Sequence, residues 1–123
     1  NAAVGAAEGT AELFLESAGN AGSATMVGGD AAVPSVAIRV TTLLAALEEA
    51  RFSRVDLLKI DVEGYEDEAL LPFFRSAPSS LWPRHLLLET VHEGRWREDL
   101  VGFLREAGYT PAGSTAENVL LAL

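Results

Sequence analysis

A chain of 123 residues, 49% of them hydrophobic, makes one domain or part of one and carries enough apolar content to exclude disorder. Its formal net charge of −9, with Lys59 the only lysine and the arginines scattered, argues against nucleic acid and anionic membrane as partners. Cysteine is absent, which excludes disulfides and thiolate metal sites and favours a reducing, cytoplasmic setting; no run of roughly 18 apolar residues is available to span a bilayer, and the first residues lack the basic and apolar regions of a secretory leader.

In chain order, residues 12–16 (Glu-Leu-Phe-Leu-Glu) predict a short strand, paired with Ala3–Val4 across the Glu8-Gly9 turn. Residues 17–35, rich in Gly, Ala and Ser and ending after Pro34, predict a long loop with a short strand near Thr25–Val27. Residues 36–40 alternate as a half-buried strand does. Thr41 or Thr42 is placed to cap a helix over 43–50, whose Leu43, Leu44 and Leu47 have helical spacing. The apolar run 55–61 predicts a parallel strand covered on both faces. Gly64 then turns the chain into a helix over Glu66–Leu71 that stops near Pro72, with Phe73 and Phe74 beneath the sheet. Residues 85–91 predict a second strand of the buried type. An amphipathic helix over 95–107 follows, with Trp96, Leu100, Phe103, Leu104 and Ala107 on one face and Gly108 as its C-terminal cap. Strands are expected from Tyr109-Thr110 and over 118–123. Strands alternating with helices imply an α/β fold with a mainly parallel sheet and right-handed crossovers.

The chemistry concentrates in two places. Lys59, Asp61 and Glu63 end the 55–61 strand and share one face if the two-residue period continues. Carboxylates at the C-terminal end of a strand, beside a glycine turn, are how open α/β sheets build ligand sites. They can take a proton from an attacking hydroxyl or amine, or hold a divalent cation; the position of Gly64 excludes an EF-hand. Glu89 and His92 end the next strand, so neighbouring strands would bring all of these tips to one crevice. Imidazole titrates near neutrality and suits a general base. Glu66, Asp67 and Glu68 occupy the first turn of a helix, where the macrodipole favours acidic residues. His85 starts its strand at the far end from the crevice. Arg95 and Arg97 suit either an anionic substrate group or solvent, and Trp82 and Trp96 are read as packing anchors.

The words Leu57-Leu58-Lys59-Ile60-Asp61-Val62-Glu63-Gly64, followed by Glu66, resemble the signature of the FkbM family of S-adenosylmethionine-dependent methyltransferases. The Glu8-Gly9-Thr-Ala-Glu-Leu segment, the loop at 19–23, Val40-Thr-Thr-Leu, Glu89, Gly108-Tyr109 and Asn118-Val-Leu occur in the family's order. Leu44 departs from it, standing where the family usually has Asp. The resemblance implies a partial Rossmann-like class I methyltransferase sheet, mostly parallel, with helices on its faces and an antiparallel C-terminal strand. It implies methyl transfer, with hydroxyls of small molecules or sugars as acceptors and S-adenosyl-L-methionine as cofactor. It places Asp61, Glu63, Lys59, Glu89 and His92 at the catalytic end and Asp61 and Val62 near the cofactor. It also implies that residues 1–123 are one partial domain lacking the N-terminal cofactor-binding strands and inactive alone. The edge of the 55–61 strand would then be unpaired, and a homodimer through that edge is expected. Two other readings stand beside this one: a non-catalytic α/β interaction module, and a divalent-metal site built on Asp61, Glu63 and Glu89.

Overall fold

The structure, a computed structural model, describes residues 1–15, 24–25 and 34–123. The Gly-rich stretches around Gly19–Gly22 and Gly28-Gly29 lie outside the described residues, as does most of the loop expected over 17–35.

The N-terminal sheet has four strands: β1 (Ala3–Val4), β2 (Gly9–Leu15), β3 (Ala24–Thr25) and β4 (Ser35–Thr41), in the order β1-β4-β2-β3. β2 and β4 run antiparallel from Gly9 opposite Val40 to Phe14 opposite Ser35. The pairing expected between Ala3–Val4 and the second strand is not what forms. β1 runs parallel to β4 on its other edge, with Ala3 opposite Val40 and Val4 opposite Thr41. Gly5 explains the choice. Its N–H donates to the Thr41 carbonyl at 2.9 Å, and a Cβ there would stand 2.8 Å from Val40 Cγ1. Only glycine lets the chain lie this close to β4.

Thr42 caps α1 (Leu43–Glu49), its hydroxyl accepting from the Ala45 N–H at 3.1 Å. The second sheet then follows: β5 (Leu57–Ile60), β6 (His85–Glu89), β7 (Thr110–Ser114) and β8 (Asn118–Ala122), in the order β5-β6-β8-β7. β5 and β6 are parallel; β6–β8 and β7–β8 are antiparallel. The fold is α/β, but only β1–β4 and β5–β6 are parallel among the described pairings; the two hairpin-like ends make the rest antiparallel.

One face of the second sheet is closed by helices. Ile60, Leu86, Leu88 and Leu121 pack into a single core with Leu43, α2 (Glu66–Ser76) and α3 (Leu100–Glu106). The opposite face is only half covered: Leu57 is 61% exposed, and Leu87 and Leu120 are half-buried. Burial on both faces, expected for strand 55–61, is therefore not found among the described residues. Among the described residues, β5 is the edge strand of its sheet.

Two helices differ from expectation. α2 runs through Pro72 to Ser76 instead of stopping near it. Proline removes one intrahelical bond and crowds the preceding turn. Here burial overrides that cost, because Leu70, Leu71, Phe73 and Phe74 are all at most 3% exposed, and Ser76 Oγ donates to the Pro72 carbonyl at 2.6 Å. The helix expected over 95–107 is shortened to Leu100–Glu106. Residues Glu93–Arg95 form a 3-10 turn instead, and Asp99 caps α3 through the Gly102 N–H at 2.8 Å. Arg97 and Glu98 are held out of the helix because their N–H groups donate to Asp67 Oδ2, at 2.8 and 3.3 Å.

Tyr109 pins the far side of this layer. It is 1% exposed, and its hydroxyl donates to the Pro83 carbonyl at 2.6 Å. Burial pushes its phenol up to about 12. Because the unfolded phenol ionises near 10, the native state holds the extra proton above that pH, and stability is expected to fall progressively from about pH 10 to 12. Tyr109→Phe strands the Pro83 carbonyl and is expected to cost about 1–2 kcal/mol at neutral pH, read as a lower urea midpoint at unchanged slope. It should also flatten the alkaline decline.

Candidate active site

Parallel pairing of β5 and β6, with Leu57 opposite His85 and Ile60 opposite Leu88, brings both C-terminal ends to one edge of the sheet. Asp61 to Tyr65 leave β5 there, and Glu89 to His92 leave β6. The two-residue alternation lasts only to Asp61. Lys59 and Asp61 do share a face, and their ends meet at 2.7 Å, but both are largely exposed, so this pair forms the rim. The Lys59 ammonium, expected to orient a substrate carboxylate, here faces the Asp61 carboxylate. Glu63 has left the strand: its φ is +57°, followed by Gly64 at +96°. A non-glycine residue in this region costs roughly 1–2 kcal/mol, a strain of the kind that surrounding contacts must hold in place.

Glu66 holds it. This carboxylate is fully buried. Oε1 accepts from the Val62 N–H at 2.9 Å and the Gly64 N–H at 3.2 Å, and Oε2 accepts from the Trp96 indole N–H at 2.8 Å. Thus Glu66 is no mere first-turn acid favoured by the helix dipole, and Trp96 is more than a packing anchor. Asp67, 3% exposed, likewise serves as a tie to Arg97 and Glu98. Glu68 pairs with Arg97 at 2.5 Å, which occupies Arg97 within the protein. Trp82 does pack, edge-on to Phe74.

The strained turn delivers Glu63 to His92. Glu63 Oε2 and His92 Nε2 stand 3.1 Å apart, and both side chains are about three-quarters buried, at 29% and 26% exposed. In the tautomer that donates from Nε2 to Glu63, the free lone pair lies on Nδ1. Glu89 ends the neighbouring strand β6. It is 9% exposed, and its Oε2 is shielded from solvent with no hydrogen-bond partner. Its carboxyl is pushed above the usual range, by burial first and then by the negative charge of Glu66. His92 pulls the other way, and Asp61 and Glu63 add to the push. His85 stands at the opposite end of β6, its backbone N–H donating to the Asp56 carbonyl at 3.0 Å.

The structure thus brings Glu63 and His92 together at the strand ends that also carry Glu89, and sets Lys59 and Asp61 as an exposed ion pair beside them. Sequence reasoning missed the organising role of Glu66, for which the only signal was its place in the family signature. It also missed Asn118, the cross-strand partner of Glu89, whose Oδ1 is likewise buried without a partner. No group of three or more His, Asp or Glu side chains that could hold a metal ion occurs among the described residues, so Asp61, Glu63 and Glu89 do not form the ligand set that the metal reading required.

Together, a mixed α/β sheet and a carboxylate–imidazole pair at the C-terminal ends of parallel strands define an α/β protein. The chain matches the methyltransferase FkbM domain over residues 1–111 and belongs to that family. No curated protein and no solved structure gives a significant match. No helix among the described residues is long and apolar enough to cross a membrane.

The family generally uses S-adenosylmethionine, and the described residues do not by themselves fit it. The Val62 N–H is taken by Glu66. The space above Gly64 is filled, since a Cβ there would stand 2.9 Å from Arg95 Cδ and 3.2 Å from His92 Cβ. Neither Val62 nor the glycine turn therefore offers the open backbone that a cofactor cradle needs.

Proposed function

We propose that the chain is the acceptor-binding part of an O-methyltransferase acting on a hydroxyl of a small molecule or sugar. In this reading S-adenosylmethionine supplies an electrophilic methyl group, in a cytoplasmic protein. The observation that supports it is the His92–Glu63 contact at the ends of β5 and β6, in a chain of the FkbM family. Glu63 fixes the imidazole, and His92 Nδ1 takes the hydroxyl proton, so that the acceptor oxygen becomes nucleophilic. Asp61 and Lys59 form the rim through which the acceptor enters. The test is methyl transfer from labelled cofactor by the full-length protein to a panel of hydroxyl compounds. Turnover that falls about 10²–10⁴-fold in His92→Ala supports the assignment. Turnover unaffected by that change sinks the role of His92, and absence of transfer to any hydroxyl sinks the reading.

A second reading rests on the β5 edge and the exposed Leu57. An unpaired apolar edge is a template for another strand. We propose homodimerisation through this edge, whether or not the protein is catalytic. Sedimentation should show a dimer that Leu57→Lys converts to monomer; a wild-type monomer at high concentration contradicts it.

A further inference from the structure

Two buried oxygens belong to cross-strand partners near the end of the β6–β8 ladder. Glu89 and Asn118 are direct cross-strand partners. The next pair along is hydrogen-bonded, the Thr90 N–H donating to the Glu117 carbonyl at 2.8 Å. Antiparallel ladders alternate, so Glu89 and Asn118 form the other kind of pair, whose side chains stand closest, with Cβ atoms about 4.5–5.5 Å apart. Glu89 Oε2 and Asn118 Oδ1 are both shielded from solvent and both lack a partner. Two acceptors cannot satisfy each other, and an unsatisfied buried polar atom costs about 1–3 kcal/mol. One proton on Glu89 satisfies both, because a carboxylic acid O–H donates to an amide oxygen.

We propose that Glu89 is a neutral acid donating to Asn118, and that this pair forms a hydrogen-bonding wall of the crevice that positions the acceptor hydroxyl. Asn118 is then a positioning residue that keeps Glu89 from serving as the base. Charges on every side agree with it. Glu66 on α2, and Asp61 and Glu63 on the turn after β5, all oppose a further negative charge, burial opposes it more, and only His92 favours it. The identity of the ligand rests on the methyl-transfer reading: Glu89 Oε1 accepts from a neighbouring hydroxyl of the acceptor, and His92 removes the proton of the hydroxyl that is methylated. The acceptor is an uncharged hydroxyl compound, since Asp61, Glu63 and Glu66 repel carboxylates and phosphates.

The experiment is a carbon-13 NMR titration of the full-length protein labelled at glutamate Cδ, with the Glu89 resonance assigned by its loss in Glu89→Gln. Glu89 is expected to titrate above the ordinary glutamate range, because burial and the neighbouring carboxylates oppose its charge. Asn118→Ala removes the proton's acceptor and admits water, and the midpoint should fall back toward that range. A Glu89 midpoint in the ordinary range, or one unmoved by Asn118→Ala, overturns the pair. If Asn118→Ala does not fold, Asn118→Ser replaces it, and the wild-type titration still decides the state of Glu89. This readout needs no turnover, so a raised midpoint in a protein without transfer activity supports the pair while removing the methyl-transfer reading. In an active enzyme, Glu89→Gln should lower kcat/KM mainly through KM; a kcat loss of about 10²-fold or more marks Glu89 as the base and overturns the positioning role.

Discussion

Glu66→Ala should cost about 3–5 kcal/mol, the range for breaking a buried network around an ionised side chain. The variant leaves the N–H groups of Val62 and Gly64 and the indole of Trp96 without their acceptor, in a place that is fully buried. It also releases the turn that holds Glu63 at a φ of +57°. Stability of a domain this size is about 5–15 kcal/mol, so the loss takes a large share of it. Urea unfolding measures it directly. Glu66→Gln keeps an acceptor for the two backbone groups but turns an amide N–H₂ toward the indole donor, so a smaller loss is expected. A cost of less than about 1 kcal/mol for Glu66→Ala would show that the turn stands without this carboxylate.

The second large effect belongs to Phe74→Ala, expected at about 3–5 kcal/mol. Phe74 is 3% exposed and lies at the centre of an aromatic cluster. Its ring meets Phe73 at 5.2 Å, Trp82 at 5.2 Å and Tyr109 at 5.8 Å, all edge-on, with Phe103 tilted at 6.1 Å. Such geometries add about 0.5–1.5 kcal/mol per pair beyond area burial. Truncation therefore loses transfer energy, leaves a cavity and unseats α2 from α3 together. Differential calorimetry should show a lower Tm, and the near-ultraviolet circular dichroism of Trp82 should weaken in the folded state. Phe74→Leu, which fills most of the volume, should recover much of the loss.

The sequence made the site legible where local rules suffice. Apolar runs placed β5 and β6, and the strand-end charges beside Gly64 marked where their ends converge. Residue type offered Thr41 or Thr42 as the cap of α1, and it is Thr42 that caps. What local rules missed was set by distant contacts. Pro72 marks a helix end by its own chemistry, yet the burial of Phe73 and Phe74 carries α2 past it. The stretch 95–99 has a helical hydrophobic pattern, but Asp67 and Glu66 capture its N–H groups from another helix. The near face of β5 could not be told from its far face, since Leu57 and Ile60 read alike and only the helices distinguish them. The partnership of Glu89 with Asn118 depends on strand register across 29 residues, which no local pattern encodes.

The amide hydrogens of Val62 and Gly64 are held by a side chain and not by a neighbouring strand. Strand-held amides exchange with solvent only when the ladder separates, whereas these can exchange when a single rotamer of Glu66 swings away. The mouth of the crevice can thus breathe while β5 and β6 stay zipped. The exchange rate of these two amides therefore reports the motion of one side chain, independently of unfolding.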